Sequence, residues 1–333
     1  MRNIALDEFK NYTFLSAIDH APGCKHAAFA MHKIDLDGNK YLSNLYLLDV
    51  EKNTVKKLTA FNKESSFKWL NEEEIIFSTI RDEKYKEESE SRKEFTQLYK
   101  INIHGGEADK YIRFNKKVSS YEIMKNKMIL ASVYFDNNAK DQLTLDDKEL
   151  SEELKRLKEE QDYEVLEEIP YWSNGGGFTS RKRNRLALFD GEGKFQKYLT
   201  SEFTEVEMIK LSKDKSHAVV LSSTFTDQQP LFNELSIFDG ANVLPLETKG
   251  LSLSYADFLN DTTLILTATD MKYLGINENG KFYKYDLEKG ELTLLTEDLD
   301  ISLYSSVGSD VRYGGGKQRG VYNEELYFTT TQG

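Results

Sequence analysis

The chain has 333 residues, of which 39% are hydrophobic and 30% are charged, and its formal net charge at pH 7 is −12. This charge argues against a nucleic-acid backbone or an anionic membrane as the main partner, and it mildly favours cationic ligands such as peptide amines. One cysteine excludes an internal disulfide, acids stand where a signal peptide needs apolar residues, and no apolar run reaches the roughly 18 residues of a membrane span, so we expect a cytoplasmic protein.

A hairpin recurs five times along the chain, and each copy begins with an apolar strand that ends in an acid or an amide. Turn residues such as Asn53 and Gly290 follow, because asparagine and glycine tolerate the positive φ of tight hairpins. A second strand closes each copy, and in three copies a threonine stands ten positions after the acid. These acid and threonine pairs are Asp49 and Thr59, Asp190 and Thr200, and Asp286 and Thr296.

A further pair of short strands, rich in β-branched and aromatic residues, precedes each hairpin. The resulting units of four strands recur every 47 to 53 residues outside one insertion, which is typical of the period of about 40–50 residues in β-propellers. Each small sheet would bury both faces by stacking radially on its neighbours. We therefore predict an all-β fold, a β-propeller of four-stranded blades with one helical insertion. A β-sandwich with accidental similarity between strands is the alternative.

About six blades are expected in this chain, and the last of them is incomplete. The insertion in the third blade begins with Asp146 and Glu149, which form a capping-box pattern, and Leu150, Leu154 and Leu157 follow on one helix face. We expect this apolar stripe to pack on its own domain. The predicted blades span residues 14–60, 67–113, 118–200 with the insertion at 137–182, 206–248, 253–298 and 301–333.

Motifs for catalysis, cofactors and metals are missing from the sequence. A serine hydrolase needs a G-x-S-x-G elbow, and no serine of this chain has glycines at that spacing. The cluster His20, Cys24, His26 and His32 does not have the spacing of a zinc site. Residues 314–317, Gly-Gly-Gly-Lys, lack the other features of a phosphate loop and predict a turn. We expect no catalytic residue, no cofactor and no metal in this chain.

Two adjacent carboxylates in the insertion, Glu167 and Glu168, are candidates for holding the ammonium group of a substrate. Two such carboxylates can share one cation when a cavity desolvates it. The alternative is an exposed acidic end of the helix, in which both charges are solvated.

Residues 162–178 carry the most individual pattern of the chain: a strand-like segment, Tyr171 and a glycine turn follow the charged helix. Residues 6–9 and 20–29 carry a second, weaker pattern near the N-terminus. With these residues, the chain resembles the propeller part of the prolyl oligopeptidase family, in its acylaminoacyl-peptidase-like branch. Asn174 stands in the glycine turn at the position where this family usually has an aspartate. The resemblance covers essentially the whole chain.

The resemblance implies a seven-bladed propeller over an α/β-hydrolase domain with a Ser-Asp-His triad, in which the propeller admits only short peptides. None of the triad can be carried over, because its motifs belong to a C-terminal domain that we expect to be absent from this chain. In related dipeptidyl peptidases, a glutamate pair of the propeller binds the substrate amine. By this resemblance, Glu167, Glu168 and Tyr171 are the candidate substrate-binding residues.

We expect the blade at 301–333 to be unfinished, because only four residues follow Thr329 where earlier blades continue with a hairpin. The chain would then be a fragment or a truncated product, and its open strand edge would invite association with another chain. Our leading hypothesis is the non-catalytic, substrate-gating propeller of a serine peptidase, with peptides and a hydrolase domain as partners. The alternatives are a stand-alone propeller that binds proteins and a propeller glycosidase with two carboxylates in its channel.

Overall fold

The computed structural model describes residues 5–248, 250–303, 313 and 318–330. The chain divides into two compact units. The first unit contains most residues up to Arg113, and the second contains the segment Ser89–Phe95 and most residues from Phe114 onward. Each unit is built from antiparallel sheets.

Two four-stranded sheets make up the first unit, and in both the strands follow their order in the chain. The first sheet contains β1 (Thr13–His20), β2 (His26–Asp35), β3 (Lys40–Asp49) and β4 (Thr54–Lys57). The second contains β5 (Lys68–Trp69), β6 (Glu74–Ser78), β7 (Thr96–Asn102) and β8 (Asp109–Phe114), with helix α1 (Glu83–Glu90) between β6 and β7. Helix α1 was not expected from the sequence, because it is short and buries none of its residues.

Three further four-stranded sheets lie in the second unit. The third sheet, in the order β14-β13-β10-β9, contains β9 (Val118–Ile123), β10 (Ile129–Asp136), β13 (Lys182–Phe189) and β14 (Phe195–Tyr198). Helix α2 (Asp147–Glu159) and the small hairpin of β11 (Trp172–Ser173) and β12 (Gly177–Phe178) lie between β10 and β13.

The fourth and fifth sheets again follow the order of the chain. The fourth contains β15 (Thr204–Leu211), β16 (Ala218–Thr224), β17 (Glu234–Phe238) and β18 (Val243–Leu246). The fifth contains β19 (Ser252–Asn260), β20 (Thr263–Thr269), β21 (Lys281–Asp286) and β22 (Glu291–Leu294). A last hairpin is formed by β23 (Arg319–Tyr322) and β24 (Glu325–Phe328).

These consecutive four-stranded antiparallel sheets confirm the predicted all-β fold, a β-propeller of four-stranded blades with a helical insertion. Residues 301–303, where the sequence predicts the first strand of a sixth blade, are not in a strand. Residues 304–312 and the turn predicted at 314–317 lie outside the described residues. Within the described part of the chain, neither helix is long and apolar enough to cross a membrane.

The central strands of the sheets are buried on both faces. In β16, every residue from 218 to 223 is at most 5% exposed. Successive side chains of a strand point to opposite faces, so the two faces of β16 contact different neighbours. Val219 and Leu221 belong to a core cluster with β20 of the fifth sheet, whereas Ala218 and Val220 belong to a cluster with β10 and β13 of the third sheet. The fourth sheet therefore requires a neighbour on each side.

The threonine that closes each of three hairpins explains the ten-residue spacing of the sequence repeat. Its hydroxyl oxygen accepts a hydrogen bond from the backbone N–H of the residue that begins the apolar strand. The three donor and acceptor pairs are Leu45 and Thr59 (2.9 Å), Leu186 and Thr200 (3.0 Å), and Phe282 and Thr296 (2.9 Å). At the turn of the third-sheet hairpin, the carboxylate of Asp190 accepts hydrogen bonds from the backbone N–H groups of Glu192 and Lys194.

We predict that Thr200→Val lowers the free energy of unfolding by about 1–2 kcal/mol, because the N–H of Leu186 loses its acceptor. Denaturant titration measures this change. Thr200→Ser keeps the hydroxyl and is the matched control, with an expected change within about 0.5 kcal/mol. A valine variant as stable as the wild type would contradict this role of the hydroxyl.

Candidate functional site

The insertion in the third sheet begins with helix α2, whose predicted capping box is confirmed. The carboxylate of Asp146 accepts the backbone N–H of Glu149 at 2.9 Å, and the carboxylate of Glu149 accepts the N–H of Asp146 at 3.1 Å. Both orphan donors at the start of the helix are thereby satisfied. Leu150, Leu154 and Leu157 are half-buried, in agreement with a stripe that packs on its own domain.

The segment after the helix is attached to the fourth sheet and does not form the strand that the resemblance suggested at 162–166. Its only described ladder contact is a parallel bridge between Ile169 and Gln228. Ile169 donates its N–H to the carbonyl of Asp227 and accepts the N–H of Gln229, both at 2.8 Å. The hairpin of β11 and β12 follows, and its turn includes Gly175 with a φ of +75°. These contacts fix the segment against the connection between β16 and β17 of the fourth sheet.

A buried ion pair attaches the same segment to the third sheet. The carboxylate of Glu168 accepts two hydrogen bonds from the guanidinium of Arg183, at 2.7 and 2.8 Å, and each side chain is 1% exposed. The other three N–H groups of Arg183 donate to backbone carbonyls, and the guanidinium lies over the ring of Phe225 at 3.8 Å. Because all five donors have acceptors, this buried charge is fully compensated.

Glu167 and Tyr171, the other two residues predicted for the site, do not take part in this buried ion pair. Glu167 is exposed and pairs with Arg181 at 2.6 Å, and Tyr171 is also exposed. Glu167 lines a cavity of about 480 Å³, whereas Glu168 lines a neighbouring cavity of about 680 Å³. The structure thus does not bring the two adjacent carboxylates together, and the exposed helix end of the alternative interpretation does not apply either, since α2 ends at Glu159.

The larger cavity lies between the insertion and the third and fourth sheets. Four carboxylates and three cationic side chains line it, so its formal charge is −1. The cations Lys182 and Arg183 are paired with Glu164 and Glu168, and the third cation, Lys117, lies over the ring of Tyr134. The remaining two carboxylates belong to β15, and Pro170, Phe178 and Phe225 line an apolar part of the same cavity.

The two carboxylates of β15 are Glu205 and Glu207, and in the described part of the chain their hydrogen-bond donors are neutral groups. Glu205 accepts the backbone N–H and the side-chain amide of Asn184, at 2.7 and 2.9 Å. Glu207 accepts the hydroxyl of Ser223 at 2.6 Å and the amide of Asn233 at 2.8 Å. Within the described residues, neither is in an ion pair. With Lys117 also on its wall, the cavity as a whole has an excess of one negative charge among the described residues.

The pKa of Glu205 is shifted by its position in the cavity. Burial raises the pKa of Glu205 above its ordinary value of 4.5, and the nearby charge of Glu207 raises this pKa further. The hydrogen bonds from Asn184 and the charge of Arg183 act in the opposite direction and are outweighed. A cation bound beside both carboxylates would favour the ionised form of Glu205.

Sequence reasoning did not single out Glu205 or Glu207. The one available signal is their alternation with Thr204, Val206 and Met208 in a predicted strand, which turns two acids toward one side. Their hydrogen-bond partners are 16 to 26 positions away in the chain, and no local pattern indicates such contacts.

No family model matches the sequence, and a search of curated proteins finds no match either. Among solved structures, the chain is similar to the acylaminoacyl peptidase of Pyrococcus horikoshii, with a TM-score of 0.65 and 17% identity over 97% of this chain. It is also similar to a mutant puromycin hydrolase complexed with PGG, with a TM-score of 0.50 and 7% identity over 85% of this chain.

This chain shares its fold with part of an acylaminoacyl peptidase. The matches span 43% and 37% of the two known chains, which is less than half of each. The resemblance to the prolyl oligopeptidase family is thereby confirmed as a shared fold.

We predict that Glu168→Gln lowers the free energy of unfolding by about 3–5 kcal/mol, because it leaves the charge of Arg183 buried and unpaired. Glu167→Gln, one position away, is the matched control and should change it by at most about 0.5 kcal/mol, because that ion pair is exposed. Urea denaturation of both variants measures the difference. Equal effects would contradict the anchoring role of Glu168.

Proposed function

We propose that this chain is the non-catalytic propeller of a serine peptidase, which filters short peptides and orients them for an α/β-hydrolase domain. The shared fold with part of an acylaminoacyl peptidase supports this proposal, and so does the lack of a G-x-S-x-G elbow in the 333 residues. The propeller contributes specificity, and the hydrolase domain contributes bond cleavage.

The observation that carries the proposal is the carboxylate pair in the larger cavity. A cavity of about 680 Å³ falls in the range of roughly 300–1,000 Å³ that is typical of small-ligand sites. Glu205 and Glu207 retain unused lone pairs, and the three N–H donors of a peptide ammonium match them in number and in charge. We propose that these two residues bind the free amino terminus of the peptide. Substrate binding by Glu167, Glu168 and Tyr171 remains a separate prediction from the family resemblance.

We predict that the chain binds a short peptide with a free amino terminus at least about tenfold more tightly than its N-acetylated form, because a hydrogen bond to a charged group contributes roughly 1.5–3 kcal/mol. Glu207→Gln should remove this preference. Isothermal titration calorimetry measures the four affinities. Chromatography of the same mixtures should recover intact peptide, and steady hydrolysis would contradict the non-catalytic role.

Glu207→Gln is a conservative variant, because Ser223 can accept a hydrogen bond from the new amide while Asn233 still donates to the amide oxygen. Glu192→Gln, in the exposed turn between β13 and β14, removes the same charge away from the cavity and is the control. Equal affinity of the free and acetylated peptides for the wild type would overturn the proposed ammonium site.

The affinity for the free-amine peptide should also depend on pH. It is expected to fall as the pH decreases through the pKa of Glu205, which lies above 4.5, because protonation removes one of the two charges. At high pH it falls again as the peptide amine, with a pKa near roughly 8, loses its proton. Glu207→Gln should remove the acidic limb, because the affinity of this variant no longer depends on the ammonium group that Glu205 would pair with. Titrations between about pH 4 and pH 9 cover both limbs, and an acidic limb that persists in Glu207→Gln would contradict the joint binding of the ammonium group by the two carboxylates.

A further inference from the structure

The cavity that contains Glu205 and Glu207 has a second wall made of aromatic side chains. Phe178, in the small hairpin of the insertion, lines the cavity and is 39% exposed. Trp172 packs edge-on against Phe178, with ring centroids 4.9 Å apart, and is itself 55% exposed. Phe225 lines the cavity from the fourth sheet. Apolar surface is thus exposed beside the unneutralised carboxylates.

Exposed aromatic side chains are common singly, but a group of them at the rim of a cavity is typical of a ligand site. Phe178 and Trp172 contact each other across two strands of only two residues each, so their own sheet covers little of either ring. A ligand side chain that covers Phe178 would remove apolar surface from water, which is favourable in proportion to the area buried. The wall therefore complements an apolar group on the ligand.

The aromatic wall is held in place before any ligand arrives. Thr179, directly after Phe178, donates its N–H to the carbonyl of Tyr171 at 2.9 Å and its hydroxyl to the carbonyl of Pro170 at 3.0 Å. The ring of Phe225 is covered by the buried guanidinium of Arg183 at 3.8 Å. A wall that is already ordered loses little conformational freedom on binding, and this favours discrimination between ligands.

We propose that the cavity selects peptides whose amino-terminal residue has an aromatic or large apolar side chain, and that Phe178 determines this specificity. The inference rests on the proposed function, since it places the ammonium group of the same residue at Glu205 and Glu207. The side chain and the ammonium group of an amino-terminal residue leave the same carbon atom. One cavity with an acidic wall and an aromatic wall can thus bind both groups of that residue.

The test compares the tripeptides Phe-Ala-Ala and Ala-Ala-Ala, each with a free and with an acetylated amino terminus, by calorimetry on the full chain. The wild type should bind Phe-Ala-Ala at least about tenfold more tightly than Ala-Ala-Ala. Phe178→Ala should reduce this ratio to within about threefold and keep the preference for the free amine, and Phe178→Leu should retain most of the ratio. Tyr273→Ala removes an aromatic ring that is 86% exposed outside the cavity, and it should leave every affinity unchanged.

The outcomes separate the two proposals. If the wild type prefers free amines but binds both tripeptides equally, the inference about Phe178 is overturned and the ammonium site stands. If free and acetylated peptides bind equally, the proposed function fails and the inference fails with it. If Phe178→Ala retains the full ratio, Phe178 is not the specificity-determining residue, and this result holds irrespective of how Phe178→Leu behaves.

Discussion

The need of each small sheet to bury both of its faces governs this structure. The central strands are apolar at consecutive positions, so a single four-stranded sheet would expose two apolar faces to water. In the second unit, the fourth sheet resolves this by packing on the third sheet through Ala218 and Val220 and on the fifth through Val219 and Leu221. Stacking of sheets is therefore a condition for the stability of each one, and the connections between sheets become the places where function can vary.

The insertion lies in the connection between β10 and β13. It carries many charges, and its attachment to the sheets depends on one fully buried ion pair, Glu168 with Arg183, together with the backbone contacts of Ile169. A buried ion pair adds little net stability over apolar packing, but it is strongly destabilising when half of it is lost. This makes it a specific device for holding the insertion in one position, and that position forms a wall of the larger cavity.

The chemistry of the cavity follows from which charges are neutralised inside it. Glu164 and Glu168 are neutralised by Lys182 and Arg183, whereas the donors to Glu205 and Glu207 among the described residues are neutral. Burial raises the pKa of Glu205, and the nearby charge of Glu207 adds to this effect. A cationic ligand beside both carboxylates would favour the ionised form of Glu205.

The sequence by itself determined the features that depend on nearby residues. The hairpin repeat needs only hydrogen bonds within about ten to fourteen positions, such as that between Leu186 and Thr200, and the capping box at Asp146 needs only three, so both were predictable. Only the tertiary structure determined which side chains come together at the candidate site. Glu167 and Glu168 are adjacent in sequence but have different partners, since successive side chains of an extended segment diverge. Glu205 meets Asn184 through the packing of the fourth sheet on the third, and Glu207 meets Asn233 across its own sheet. Sequence spacing does not indicate contacts over such separations.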